Sequence, residues 1–162
     1  MYKFIMLLLL TVTMAQSVDT VNNDLDNDLV PDNIDKCLNT PEGVFVMLNG
    51  CTKVLYRDVY FDHGTAYISE KFKDIILETV ELIHELPGYK IFIQGHTDSI
   101  ASAKINMALS KRRVLAVQKI LTDNNVDKKK INISWHGETM PVSSNITAVG
   151  RAENRRVNII LK

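Results

Sequence analysis

From Lys53 onward the spacing of the apolar residues switches repeatedly between two periods, and this alternation limits the available folds more than any other feature of the chain. Residues 54–61 (VLYRDVYF) are rich in β-formers and read as a strand. Ser69 can cap a helix and Glu70 suits its first turn. Phe72, Ile75, Ile76, Thr79, Leu82, Ile83 and Leu86 then recur at helical spacing, until Pro87-Gly88 ends the run. In residues 89–95, Tyr89, Ile91 and Ile93 alternate onto one face of a second strand. A second helix is predicted over 103–123, and Ile131, Ile133 and Trp135 mark a third strand. Residues 137–149 carry Gly137, Pro141, Ser143, Ser144 and Asn145 and read as loop, and 157–161 (VNIIL) reads as a last strand. The order β-α-β-α-β-loop-β predicts an α+β fold, a mixed sheet with its helices packed on one face. Residues 53–162 are enough for one core.

The residues ahead of this domain have a different character. Lys3, the apolar run Phe4 to Val12 and the small residues of Thr13-Met14-Ala15 have the layout of a secretory signal peptide over 1–15. The apolar run is shorter than the roughly 20 residues a spanning helix needs. No cysteine follows it to carry a lipid, so the expected mature chain is exported and starts near Gln16. The sequence has two cysteines, Cys37 and Cys51, and an even number in an exported protein favours a disulfide. Closing so short a loop contributes on the order of 3 kcal/mol.

Residues 16–52 form an acidic linker. Asp24, Asp26, Asp28, Asp32 and Asp35 cluster there, and residues 19–35 have no Lys or Arg. Closely spaced carboxylates on a loop suit a hard cation such as calcium. An EF-hand is disfavoured, because its sixth and twelfth positions, counted from Asp24, hold Leu29 and Asp35. A solvated acidic spacer is the other reading, and the two stand level. Nineteen Lys and Arg residues balance nineteen Asp and Glu over the whole chain, which argues against a nucleic-acid binder.

On the second helix, Ile105, Leu109, Arg113, Val117 and Ile120 share a face, so Arg113 interrupts an apolar stripe. Asn106 and Leu109 lie on the same surface. A charge in such a place needs a partner. Asp98, in the turn between the second strand and this helix, is the candidate. An Asp–Arg pair at the mouth of a sheet suits a ligand that carries both a carboxylate and an ammonium. An internal salt bridge is the competing reading from spacing alone.

Four motifs in order change that balance: VYFDHGTAYIS (59–69), IFIQGHTDS (91–99), NMALSKRRVLAV (106–117) and GRAENRRVNIIL (150–161). With them, residues 53–162 resemble the OmpA-like peptidoglycan-binding domain. The resemblance implies that Asp98 and Arg113 bind the diaminopimelate of the wall's stem peptide. It also implies supporting contacts from Phe61, Asn106, Leu109 and the Asn154–Arg156 segment, Arg156 included. The chain departs from the family pattern at Ala101 (usually Gly), Val114 (usually Ala) and His63 (usually apolar or acidic). The acidic stretch resembles a single thrombospondin type 3 repeat through D-x-D-x-D, V-P-D-x-x-D-x-C, TPEGV (40–44) and GC (50–51), with Leu25, Asn27 and Leu29 where glycine is usual. That likeness implies a calcium-stapled linker closed by the cysteine pair.

The expected function is therefore non-covalent binding of peptidoglycan in the periplasm, linking the wall to the outer membrane or an envelope complex. A structural spacer or assembly partner without wall binding is the alternative. No required cofactor is indicated, a homodimer is compatible with the sequence, and an enzyme is disfavoured. His63, His84, His96 and His136 are present, but no nucleophile–base–orienter set or HExxH accompanies them.

Overall fold

The computed structural model describes residues 23–162, so the expected signal peptide lies outside the described residues. Four strands and three helices follow in the order β1 (Leu55–Tyr60), α1 (Glu70–Glu85), β2 (Ile91–His96), α2 (Ala103–Asp123), β3 (Ile131–Gly137), α3 (Ala148–Asn154) and β4 (Arg156–Leu161). The sheet order is β1-β4-β2-β3. β4 runs antiparallel to both β1 and β2, while β2 and β3 are parallel and joined across α2. The fold is the mixed α+β sheet that the alternation predicts.

The helices pack on one sheet face because strand residues of one parity are apolar there. Ile91 and Ile93 of β2, Val157, Ile159 and Leu161 of β4, and Val59 of β1 are buried with Ile76, Val80 and Ile83 of α1 and Val114, Val117 and Leu121 of α2. Residues of the other parity, including Asp58, His96, Arg156 and Asn158, lie on the face without α1 and α2.

Gly95 sets how close α2 can come. A Cβ at this position would lie 2.5 Å from the Ser110 carbonyl oxygen and 2.6 Å from a Val114 methyl. This close approach turns α2 relative to the expected stripe. Asn106, Ser110, Arg113, Val114, Val117 and Leu121 face inward, while Ile105 is exposed. The helix spans 103–123 as predicted. The 137–149 stretch differs at its end, because Thr147 caps a short helix, its hydroxyl accepting from the Gly150 N–H at 3.0 Å. Seven residues are too few for periodicity to reveal.

The described part of the linker has no strand or helix beyond an isolated Val46–Thr52 bridge. The Cys37–Cys51 disulfide is formed. The Tyr89 hydroxyl ties the linker to the domain, accepting from the Phe45 N–H at 3.1 Å and donating to the Lys53 carbonyl at 2.7 Å. The Gly88 N–H adds a bond to the Gly43 carbonyl at 3.1 Å.

Candidate functional site

The site lies at the C-terminal end of β2, where the chain turns toward α2. Asp98 sits in that turn and is 3% exposed, and Arg113, in the middle of α2, has no exposed surface. The internal Asp98–Arg113 salt bridge, the competing reading from spacing, is not formed. Arg113 instead donates to three backbone carbonyls: Nε to Thr65 (2.9 Å), Nη1 to His96 (2.9 Å) and Nη2 to Asp62 (3.0 Å). Carbonyl positions in the β1–α1 loop have no signature in residue spacing, so the spacing does not reveal these partners. The Phe61 ring lies beneath the guanidinium, 4.9 Å from its centroid.

Three of the five guanidinium N–H groups are used in this way, leaving one on each terminal nitrogen. Burial pushes the Arg113 pKa down to about 10, with the Asp98 charge opposing the fall and Arg155 and Arg112 adding to it. Arg113 is therefore a buried cation at neutral pH.

Asp98 is held by other groups. Its Oδ2 accepts from Arg155 Nη1 at 3.2 Å and faces His63 Nδ1 at 3.3 Å, and its Oδ1 accepts from the Ile100 N–H at 3.4 Å. Burial alone would raise the Asp98 pKa; the bonds from Arg155, Ile100 and His63 outweigh it and hold the carboxyl below its ordinary range. Arg155 Nε also donates to the Phe61 carbonyl at 3.0 Å. Arg155 and Arg113 thus clamp the same loop, residues 61–65, against the end of β2.

The remaining expected residues divide. Asn106 is buried, and its Nδ2 donates to the Ala101 carbonyl at 3.0 Å and to Glu138 Oε2, so it ties the β2–α2 turn to the end of β3. Leu109 is buried on the same helix face but outside the main core cluster. Asn154 is spent internally: Oδ1 accepts from the Val142 and Ser143 N–H groups, and Nδ2 donates to the Ser143 carbonyl and Asn145 Oδ1. It shapes the 142–145 loop and has no hydrogen-bonding group left for a ligand. Arg156 lies on the opposite sheet face beside His96, with Nε and Nη1 unpartnered, and makes no hydrogen bond to Asp98 or Arg113. Arg155, its neighbour in the same segment, reaches the site instead. His63, a departure from the family pattern, faces Asp98, and Glu138 joins the site through Asn106 with no signal in the sequence.

In the linker, Asp24, Asp26 and Asp28 come together, with one oxygen of each within 4.8 Å of the others. All five aspartates accept backbone N–H bonds; Asp32 and Asp35 lie outside the group and accept from the Leu25 and Cys37 N–H groups at 2.9 and 2.7 Å.

The fold and the mouth define a small α+β module in which a buried carboxylate and a buried guanidinium flank one loop. The chain belongs to the OmpA family, whose model matches residues 60–155. It is 38% identical over 148 residues to the outer membrane porin F of Pseudomonas aeruginosa, covering 88% of this chain and 42% of that protein. It is 28% identical to the peptidoglycan-associated lipoprotein of Legionella pneumophila, covering 67% of this chain and 62% of the relative. The chain thus spans less than two thirds of either relative. Among solved structures, the peptidoglycan-associated lipoprotein from Burkholderia pseudomallei superposes with a TM-score of 0.63 at 25% identity, covering 65% of this chain and 90% of that one.

Proposed function

We propose that this chain binds peptidoglycan non-covalently in the cell envelope, gripping the diaminopimelate of a stem peptide at the Asp98–Arg113 mouth. The observation that carries the reading is the pairing of opposite buried charges around one loop: Asp98, kept ionised, and Arg113, with two N–H groups in reserve. A ligand with an ammonium and a carboxylate matches both. In the chain alone, Arg155 and His63 take Asp98 Oδ2, so a ligand ammonium exchanges for them and frees the Arg155 guanidinium to meet the ligand carboxylate. The names of the relatives support the wall as target. No described helix is long and apolar enough to cross a membrane. The placement that fits is the periplasm, against the wall and the outer membrane, with envelope proteins as further partners. Co-sedimentation with purified sacculi tests this: the wild type pellets with the wall and Asp98→Ala does not. Sedimentation of Asp98→Ala or Arg113→Ala equal to that of the wild type would refute the site.

A second reading concerns the linker, where the carboxylates fit a calcium ion. Asp26 Oδ1 and Asp28 Oδ2 are buried without a hydrogen-bond partner in the Asp24–Asp26–Asp28 group. A hard cation satisfies such oxygens. A rise in melting temperature with calcium that chelator reverses, and that Asp26→Asn abolishes, is the expected result; identical melts would reject it.

A further inference from the structure

We propose that the cleft beside the Asp98 mouth seats a sugar ring of the wall glycan, so that one wall fragment spans both sites. This rests on the wall-binding reading above. The cleft, of about 340 Å³, lies where the end of β1, the start of α1 and α3 meet. Tyr60, Tyr67 and Phe72 form aromatic walls, and Asp62 and Glu153 stand among them. The Tyr60 and Phe72 rings are 5.9 Å apart and tilted by 54°, which gives the cleft two faces at an angle. Neither Asp62 nor Glu153 has an ion pair, and neither carboxylate accepts a hydrogen bond, among the described residues. A pyranose has the complementary surface, apolar C–H faces bounded by hydroxyl donors. Aromatic walls with a few convergent polar groups are what such a ligand requires.

Continuity with the mouth argues for the wall as the source. Phe61 and Arg155 line the cleft and also belong to the Asp98 site, Phe61 under Arg113 and Arg155 on Asp98. In a stem peptide, two residues separate the diaminopimelate from the sugar, a span of roughly 7 Å or more when extended. Two sites that share Phe61 and Arg155 adjoin, so one such fragment can lie across both. A lysine side chain could use the same rings and carboxylates through cation–π contact, and the experiment separates the two occupants.

Isothermal titration would use three probes: a stem tripeptide bearing diaminopimelate, the same tripeptide carrying N-acetylmuramic acid, and Nα-acetyl-lysine amide. The sugar-bearing fragment is expected to bind about fivefold more tightly than the bare tripeptide, the gain from one aromatic-walled subsite. The double variant Tyr67→Ala/Glu153→Gln changes two exposed residues, so it folds. It should erase most of that gain and leave tripeptide binding unchanged. Equal affinity of the wild type for the two fragments overturns the sugar subsite and leaves the Asp98–Arg113 reading standing. Failure of the tripeptide to bind wild type overturns both. Binding of the lysine amide to the wild type that Tyr67→Ala/Glu153→Gln abolishes reassigns the cleft to a cation and overturns the proposal.

Discussion

The protein should lose stability on mild acidification, through His96. This residue ends β2 on the sheet face without α1 and α2, and it is 1% exposed. Its ring stacks on His136 with centroids 5.3 Å apart. Its pKa is lowered from 6.5 to about 4, by burial first and then by the charges of Arg156 and His136; Asn158, close by but outside hydrogen-bonding geometry, opposes them in part. Between these two values the unfolded chain binds a proton that the folded chain refuses. The stabilisation is therefore complete above pH 6.5 and is lost as pH falls toward 4. At 1.36 kcal/mol per unit, the loss is on the order of 3 kcal/mol, a large part of the 5–15 kcal/mol a domain usually has. Asp98 acts in a separate window, because its lowered pKa makes its contribution disappear only below its ordinary value of 3.8. Denaturant unfolding at pH 7, 5.5 and 4 would measure the loss, with His96→Gln as control. The variant, which cannot take up the proton, should show a much flatter profile over this range. Parallel profiles for the two proteins, or a His96 ring that titrates near 6.5 by NMR, would refute the reasoning.

Other expectations follow from the same contacts. Arg113→Lys keeps the charge but cannot serve the Thr65, His96 and Asp62 carbonyls together; it should destabilise the domain by about 2–4 kcal/mol and weaken capture of wall fragments at least tenfold, read by denaturation and titration. Gly95→Ala places a methyl against the Ser110 carbonyl, so α2 must move off the sheet at a cost of about 1–3 kcal/mol, visible as a lower melting temperature. Replacing both Cys37 and Cys51 by serine should cost about 3 kcal/mol of linker stability, measured as faster proteolysis within residues 37–51 while the sheet keeps its protection against hydrogen exchange.

The helical and strand periodicities were legible because they reflect one element burying one face. Residues 103–123 are helical as the spacing indicates, and β1, β2 and β4 agree with their predicted segments within two residues at either end. The rotation of α2 was not legible. It depends on which atoms oppose Gly95 across the sheet, and Ile105 is apolar enough to have looked inward. Asp98 and Arg113 were singled out from sequence, and the resemblance pointed to Phe61 and the segment that contains Arg155, but local spacing identifies none of the groups that hold them. Arg155 lies at the end of a seven-residue helix and His63 in a loop, and neither interrupts an apolar stripe.

The sequence by itself determined the order of the four strands and the two long helices, the α+β class and the buried arginine that needed a partner. Those follow from local periodicity and from the cost of burying a charge, which act along the chain. Only the tertiary structure decided what satisfies that charge. Arg113 bonds carbonyls 48 and 51 residues before it, and Asp98 bonds an arginine 57 residues after it. Side-chain identity has no bearing on where a backbone carbonyl comes to rest. That is set when β4 inserts between β1 and β2 and brings the end of α3 against the 61–65 loop.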